Sequence, residues 1–197
     1  MLDVLKIRAT YDRMILAAIP LMTVCTTAAS ALLASVISFV TVLAAGVCIS
    51  ALKPWLSHKT APLAQIIIAV GLVGARSMVI SVFAKDIIKE IAVYLPLIAV
   101  TTALLINCDY ALNNRITSTL LYGCVIGGAN SLFLLTGGIV REILGKGSLF
   151  GFNIYTDLFS PAEFFATPAG GLLTAALLTV IYNLLVKAAS SRKEKAV

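Results

Sequence analysis

Four cysteines are the residues of this chain best suited to hold a metal or pass electrons: Cys25, Cys48, Cys108 and Cys124. Thiolates favour iron–sulfur clusters and zinc, and a thiol at mid-membrane depth could hold a cluster on an electron path. The four stand singly, each within or at the edge of an apolar run and none in C-x-x-C spacing, so a disulfide framework is not expected. A buried cysteine also packs simply as a small apolar side chain. The single His58 lies in a loop beside Lys59, which argues against histidine metal sites or histidine acid–base catalysis within a membrane. Arg76 is the other residue with chemistry to perform, because it interrupts the apolar run 61–84. A lone arginine at that depth costs about 2.5–3.5 kcal/mol on insertion scales and calls for a partner. Glu163 is the expected partner and Glu142 the second choice, the pair acting either as an anion site or cation barrier or as an ion pair tying the two halves together. The segment GKGS around Lys146 lacks the Ser or Thr that must follow the lysine of a phosphate loop, and no strand precedes it.

Six membrane helices are needed to position these residues. With 60% hydrophobic and 12% charged residues and a mean hydropathy of +1.02, the chain is an integral membrane protein. The excess of 15 Lys+Arg over 9 Asp+Glu marks cytoplasmic flanks and not a nucleic-acid surface. Residues 1–14 read as an interfacial lead-in, and the uncharged stretch Ile15–Leu52 of 38 residues is long enough to cross twice, with its turn expected among Ala28–Ser35. Further crossings are expected at 61–84, 91–108, 116–140 and 164–186, and 141–160 reads as a surface-lying or re-entrant segment. The nonapeptide PLMTVCTTA at Pro20 returns as PLIAVTTAL at Pro96, and prolines in apolar runs predict that helices one and four are broken. The predicted fold is all-α, with six transmembrane helices in two inverted three-helix repeats, 1–84 and 85–197. Counting residues from the helix ends places Cys25 and Thr101 at the midplane and Cys124 slightly shallower. The distribution of Lys and Arg places both termini in the cytoplasm and Ser148 outside.

The segment REILGKGSLFGF, 141–152, resembles the loop signature shared by the E subunit of the Rnf electron-transport complex and the D subunit of the sodium-pumping NADH:quinone oxidoreductase. The resemblance extends to YLPLIAV at helix four and to FSPAEFFATPAGGLL near the end, and its signature residues here are Arg141, Glu142, Gly145, Gly147 and Gly151. It implies a subunit of a redox-driven ion translocase in a prokaryotic cytoplasmic membrane, not catalytic alone. It further implies a homologous membrane partner of opposite orientation, neighbouring flavin and iron–sulfur subunits, and a [2Fe–2S] cluster shared between the two membrane subunits. Cys25 in TVCTT falls at the family's first ligand position. The second position, six residues after the helix-four proline, is Thr102 here, and Cys108 or Cys124 would have to replace it. Two other readings stay open: an inverted-repeat transporter binding a small solute or ion at threonines 26, 27, 101 and 102, and a structural subunit that has kept the fold without the cluster.

Overall fold

The computed structural model describes residues 2–57, 59–83, 94–106, 108–149, 152–153 and 163–194. Among them lie seven α-helices: α1 (Leu2–Val24), α2 (Ala28–Ala51), α3 (Ala61–Phe83), α4 (Tyr94–Leu105), α5 (Cys108–Asn113), α6 (Ile116–Lys146) and α7 (Pro168–Glu194). Short 3-10 turns occupy Lys53–Trp55 and Glu163–Ala166, and a two-stranded antiparallel ladder pairs Ser148–Leu149 with Phe152–Asn153. Three segments, Ala28–Ala51, Ala61–Met78 and Ile116–Lys146, are long and apolar enough to cross a bilayer; Arg13–Val24, Tyr94–Leu105 and Pro168–Leu184 are shorter apolar helices. The chain is therefore an all-α membrane protein, with six apolar helices among the described residues.

The bundle is built on α2 and α6, which run antiparallel along their whole length. Their seam is made of small residues. A Cβ on Gly46 would meet Thr119, one on Gly123 would touch Leu43, and one on Gly127 would touch Phe39. The Ser131 hydroxyl donates to the Ser35 carbonyl at 3.1 Å, and Gly138 sits against Ala31. Lipid offers no hydrophobic drive for helix association, so small side chains that let backbones approach are what bring such a pair together. Around this pair, α1 packs against α4, α6 and α7, and α3 packs against α2 and α4. Ala17, Ala18, Leu21, Ala28, Ala31, Ala45, Ile49, Ile98 and Leu134 are fully buried, while α3 turns Leu63, Ile67 and Val70 outward.

Four expectations are corrected by this arrangement. The lead-in and first apolar stretch form one helix that continues through Pro20 to Val24. The chain turns at residues 25–27, and Ala28–Ser35 are the first turns of α2 instead of a loop, because Thr27 and Ser30 form a reciprocal capping box that starts the helix. The prolines mark the right helices but the helices run past them, α1 through Pro20 to Val24 and α4 through Pro96 to Leu105. Finally, α6 does not stop at Val140 but runs on to Lys146, so Arg141 and Glu142 belong to a helix and are buried. Gly147 ends it in the left-handed region at φ 64°, its N–H returning to the Ile143 carbonyl at 3.1 Å. The remainder of the expected surface-lying segment, residues 154–162, lies outside the described residues, as does Gly151.

Candidate functional site

The break between α1 and α2 exposes two sets of backbone groups that a membrane interior cannot satisfy. The last carbonyls of α1 point one way and the first N–H groups of α2 another. Adjacent residues of α6 close both. The Arg141 guanidinium donates through Nη1 to the carbonyls of Met22 and of Cys25, the latter at 2.6 Å. Its Nε reaches the Phe165 carbonyl at 3.0 Å and its Nη2 the carbonyls of Thr167 at 2.8 Å and Ala166 at 3.4 Å. Glu142 Oε2 accepts from the Ala28 N–H at 2.7 Å. A cation thus meets the negative end of one helix dipole and an anion the positive end of the next, which is the favourable sense at both. Both side chains are buried, Arg141 completely.

The neighbouring residues of the loop and tail motifs serve this clasp. Thr167 caps α7 by accepting from the Gly170 N–H at 3.3 Å, and Pro168 occupies the first helical position. Gly171 has no room for a side chain: a Cβ there would lie 2.8 Å from Thr23 Cα, 2.9 Å from the Met22 carbonyl and 3.0 Å from Arg141 Nη1. Gly145 likewise lies against the backbone at Ala166. The Ser148 hydroxyl is turned toward Glu142 Oε1 at 3.5 Å and the residue is buried, so it is not the freely accessible outer marker expected from charge counting.

A second break follows α4, and a different helix closes it. Gln65 on α3 donates its side-chain amide to the carbonyls of Ala103 and Ile106, the latter at 2.9 Å. Sequence reasoning passed over Gln65, although one amide in an otherwise apolar run is itself a signal. It also placed Arg141 and Glu142 in a surface-lying segment, with Glu142 offered only as the second choice of partner for Arg76.

Arg76 does not pair as expected. Its Nη1 donates to the Ile37 carbonyl at 2.7 Å and to the Thr41 hydroxyl, both on α2. Glu142 is engaged at the first break. The turn that begins at Glu163, whose side chain lies outside the described residues, packs on α6 and α7 and not on α3. Arg76 therefore meets a mid-helix carbonyl and a hydroxyl of α2, and Glu142 meets the first N–H of the same helix.

The cysteines do not converge either. Cys25 is 1% exposed and packs with Leu21, Met22, Ala34, Ile98 and Leu134. α2 starts three residues after Cys25, and its 24 residues alone span about 36 Å against an apolar core of about 30 Å. Cys25 thus stands in the break between α1 and α2. Cys108 opens α5, beyond the end of α4 at Leu105. Leu105 and Ile106 belong to the other apolar cluster, with Met14 and Ile126. Cys124 is exposed on α6 and Cys48 half-buried near the far end of α2. Thr101 and Thr102 are fully buried in α4, and the Thr101 hydroxyl is turned back on the Ile98 carbonyl at 2.9 Å. Among the described residues no group of three or more His, Cys, Asp or Glu could hold a metal. A [2Fe–2S] cluster divided equally between two membrane proteins asks two thiolates of each, and the residues around Cys25 do not fit that demand.

A membrane bundle of six apolar helices, with two internal breaks each closed by a buried side chain from elsewhere in the chain, defines an integral membrane protein of discontinuous-helix type. The family model described as Rnf-Nqr subunit, membrane protein, matches residues 6–182. The chain belongs to the Rnf-Nqr family of membrane subunits. It is 25% identical over 177 residues to the E subunit of the Na(+)-translocating ferredoxin:NAD(+) oxidoreductase complex of Acetobacterium woodii, covering 89% of this chain and 90% of that protein. The E subunit of the proton-translocating ferredoxin:NAD(+) oxidoreductase complex of Clostridium ljungdahlii is 27% identical over 111 residues, 56% of this chain and 52% of that one. The E subunit of the ion-translocating oxidoreductase complex of Methanosarcina acetivorans is 30% identical over 124 residues, 60% and 58% of the two chains.

Proposed function

We propose that the chain is the E-type membrane subunit of an Rnf-like ion-translocating oxidoreductase in a prokaryotic cytoplasmic membrane. In this reading it is not an enzyme by itself. It pairs with a homologous membrane subunit of opposite orientation, lies in contact with lipid, and works beside the flavin and iron–sulfur subunits that carry the redox chemistry. The observation that carries the reading is the buried clasp. Arg141 and Glu142 open the loop signature, and they close the α1–α2 break with two guanidinium hydrogen bonds and one carboxylate oxygen, while three further guanidinium bonds tie in the turn before α7. A motif that dictates where a membrane helix breaks specifies a shared fold, so its presence here weighs more than scattered helix identities. The match to the Acetobacterium protein over nine-tenths of each chain supports the same assignment. An inverted repeat of 1–84 and 85–197 is supported by the echo of PLMTVCTTA in PLIAVTTAL, carried on two helices, α1 and α4, that each end in a break, after Val24 and Leu105.

The test is co-purification. The tagged chain, expressed from its own gene neighbourhood and extracted in mild detergent, is expected to bring down a homologous membrane subunit together with flavoprotein and ferredoxin-like subunits. Recovery of the chain alone, with none of these encoded nearby, would replace this reading by the transporter in which Thr26, Thr27, Thr101 and Thr102 face the substrate.

A further inference from the structure

We propose that this chain supplies no ligands to an iron–sulfur cluster, and that the place its family resemblance assigns to the second thiolate belongs to a neutral buried set of hydroxyl and amide groups on α2, α4 and α6. The inference deepens the subunit reading and rests on it. Three observations lead there independently.

The first is enclosure. A cluster held between two subunits has to lie at a surface of each, yet the thiol of Cys25 is covered by the chain's own Leu21, Met22, Ile98 and Leu134. The second is separation. The cysteines offered as replacements leave the neighbourhood in different directions: Cys108 follows α4 toward the cluster around Met14 and Ile126, and Cys124 turns outward from α6. Thiolates that share one [2Fe–2S] core must converge on it, and Cys25, buried at the end of α1, and Cys124, exposed on α6, do not.

The third is the chemistry at the family's second position. Thr102 is fully buried there, and its hydroxyl has no hydrogen-bond partner among the described residues. Ser38 on α2 and Asn130 on α6 are also fully buried with unpartnered side-chain polar atoms. The antiparallel register that sets Ser35 against Ser131, and Phe39 and Val42 against Gly127, brings Ser38 and Asn130 to one level of the seam. Hydroxyls and a carboxamide are hard, neutral donors, poorly matched to cluster iron, for which soft thiolates are the usual ligands. This part of the chain has the composition of a polar helix junction, not of a metal cradle.

Iron analysis and spectroscopy of the purified complex decide the matter, with wild type, Cys25→Ala and Cys25→Ser compared at equal protein. The expected result is that all three have the same iron content per complex, the same visible charge-transfer absorption and the same EPR spectrum of the dithionite-reduced sample. Loss of one [2Fe–2S] equivalent in Cys25→Ala would overturn the proposal. Cys25→Ser keeps the size of the side chain and so guards against a folding defect: oxygen-for-sulfur exchange at a ligand moves the visible bands and the EPR g-values, whereas exchange at a packing residue leaves both in place. Subunit composition is read on the same samples by gel. A wild-type complex that retains its partners but loses iron on Cys25 substitution therefore defeats this inference alone, and a chain that retains no partners defeats the subunit reading instead.

Discussion

A guanidinium carries five N–H donors in one plane, and Arg141 has five carbonyl oxygens arranged around it, two from the end of α1 and three from the turn before α7. No other side chain can span that set. Lysine would keep the charge but offer three donors from a single point, so carbonyls at opposite ends of the fork would be left unbonded in a dry interior. Arg141→Ala should therefore cost about 3–5 kcal/mol, as removal of a buried, fully bonded charge does, and Arg141→Lys should recover less than half of that. Glu142→Gln keeps an acceptor for the Ala28 N–H and loses only the charge, which predicts a cost of about 1 kcal/mol. Unfolding of the purified chain in bicelles, titrated with SDS, reads all three. A lysine variant as stable as wild type would mean that fork geometry is not what holds the break.

Between elements, the decisive contact is the α2–α6 seam, and two glycines of α6 separate packing from propensity. A Cβ on Gly138 would stand 2.3 Å from Ala31 Cβ, so Gly138→Ala must push the helices apart and should cost about 1–3 kcal/mol. Gly128 has nothing within 4 Å of the corresponding position, and Gly128→Ala should be neutral or stabilise by up to about 1 kcal/mol. The same SDS titration distinguishes them; equal effects would show that helix propensity and not close approach governs α6. Much of this architecture was legible beforehand. Uninterrupted apolar runs gave the helices, and the glycines at 123 and 127 in one run have the spacing of a packing seam. The breaks were legible only in part. Proline drew attention to α1 and α4, but a helix ends where its orphaned carbonyls find donors. Those donors, Arg141 and Gln65, come from residues distant in the chain. Charge made 141–146 look like a loop for the same reason: nothing local reveals that Met22, Cys25 and Ala28 will be there to receive an arginine and a glutamate.

At the scale of the whole molecule, the two ends of the bundle are chemically different, and this predicts how it sits in a membrane. One end carries the turn Lys53–Trp55, with Trp55 89% exposed, followed by the exposed Lys59, while Arg115 caps the start of α6 beside it. An outward tryptophan flanked by basic residues is the composition of a membrane–water interface on the cytoplasmic side. The other end carries the clasped break and the close of α6 at Lys146, which is exposed. Since α2 runs the full length between them, the expected outcome is that Lys59 and Lys146 lie on opposite faces of the bilayer. Removal of Arg141 from the loop count, now that it is buried, strengthens the asymmetry, because it leaves the Lys146 end with fewer loop cations. Single-cysteine labelling measures this directly, with the exposed native Cys124 replaced by serine. In intact cells Lys146→Cys should react with a membrane-impermeant maleimide, and Lys59→Cys should react only after permeabilisation. Labelling of both from one side would contradict the full-length crossing of α2. The reverse pattern would keep the bundle and invert it, and with it the prediction that both termini meet the cytoplasm.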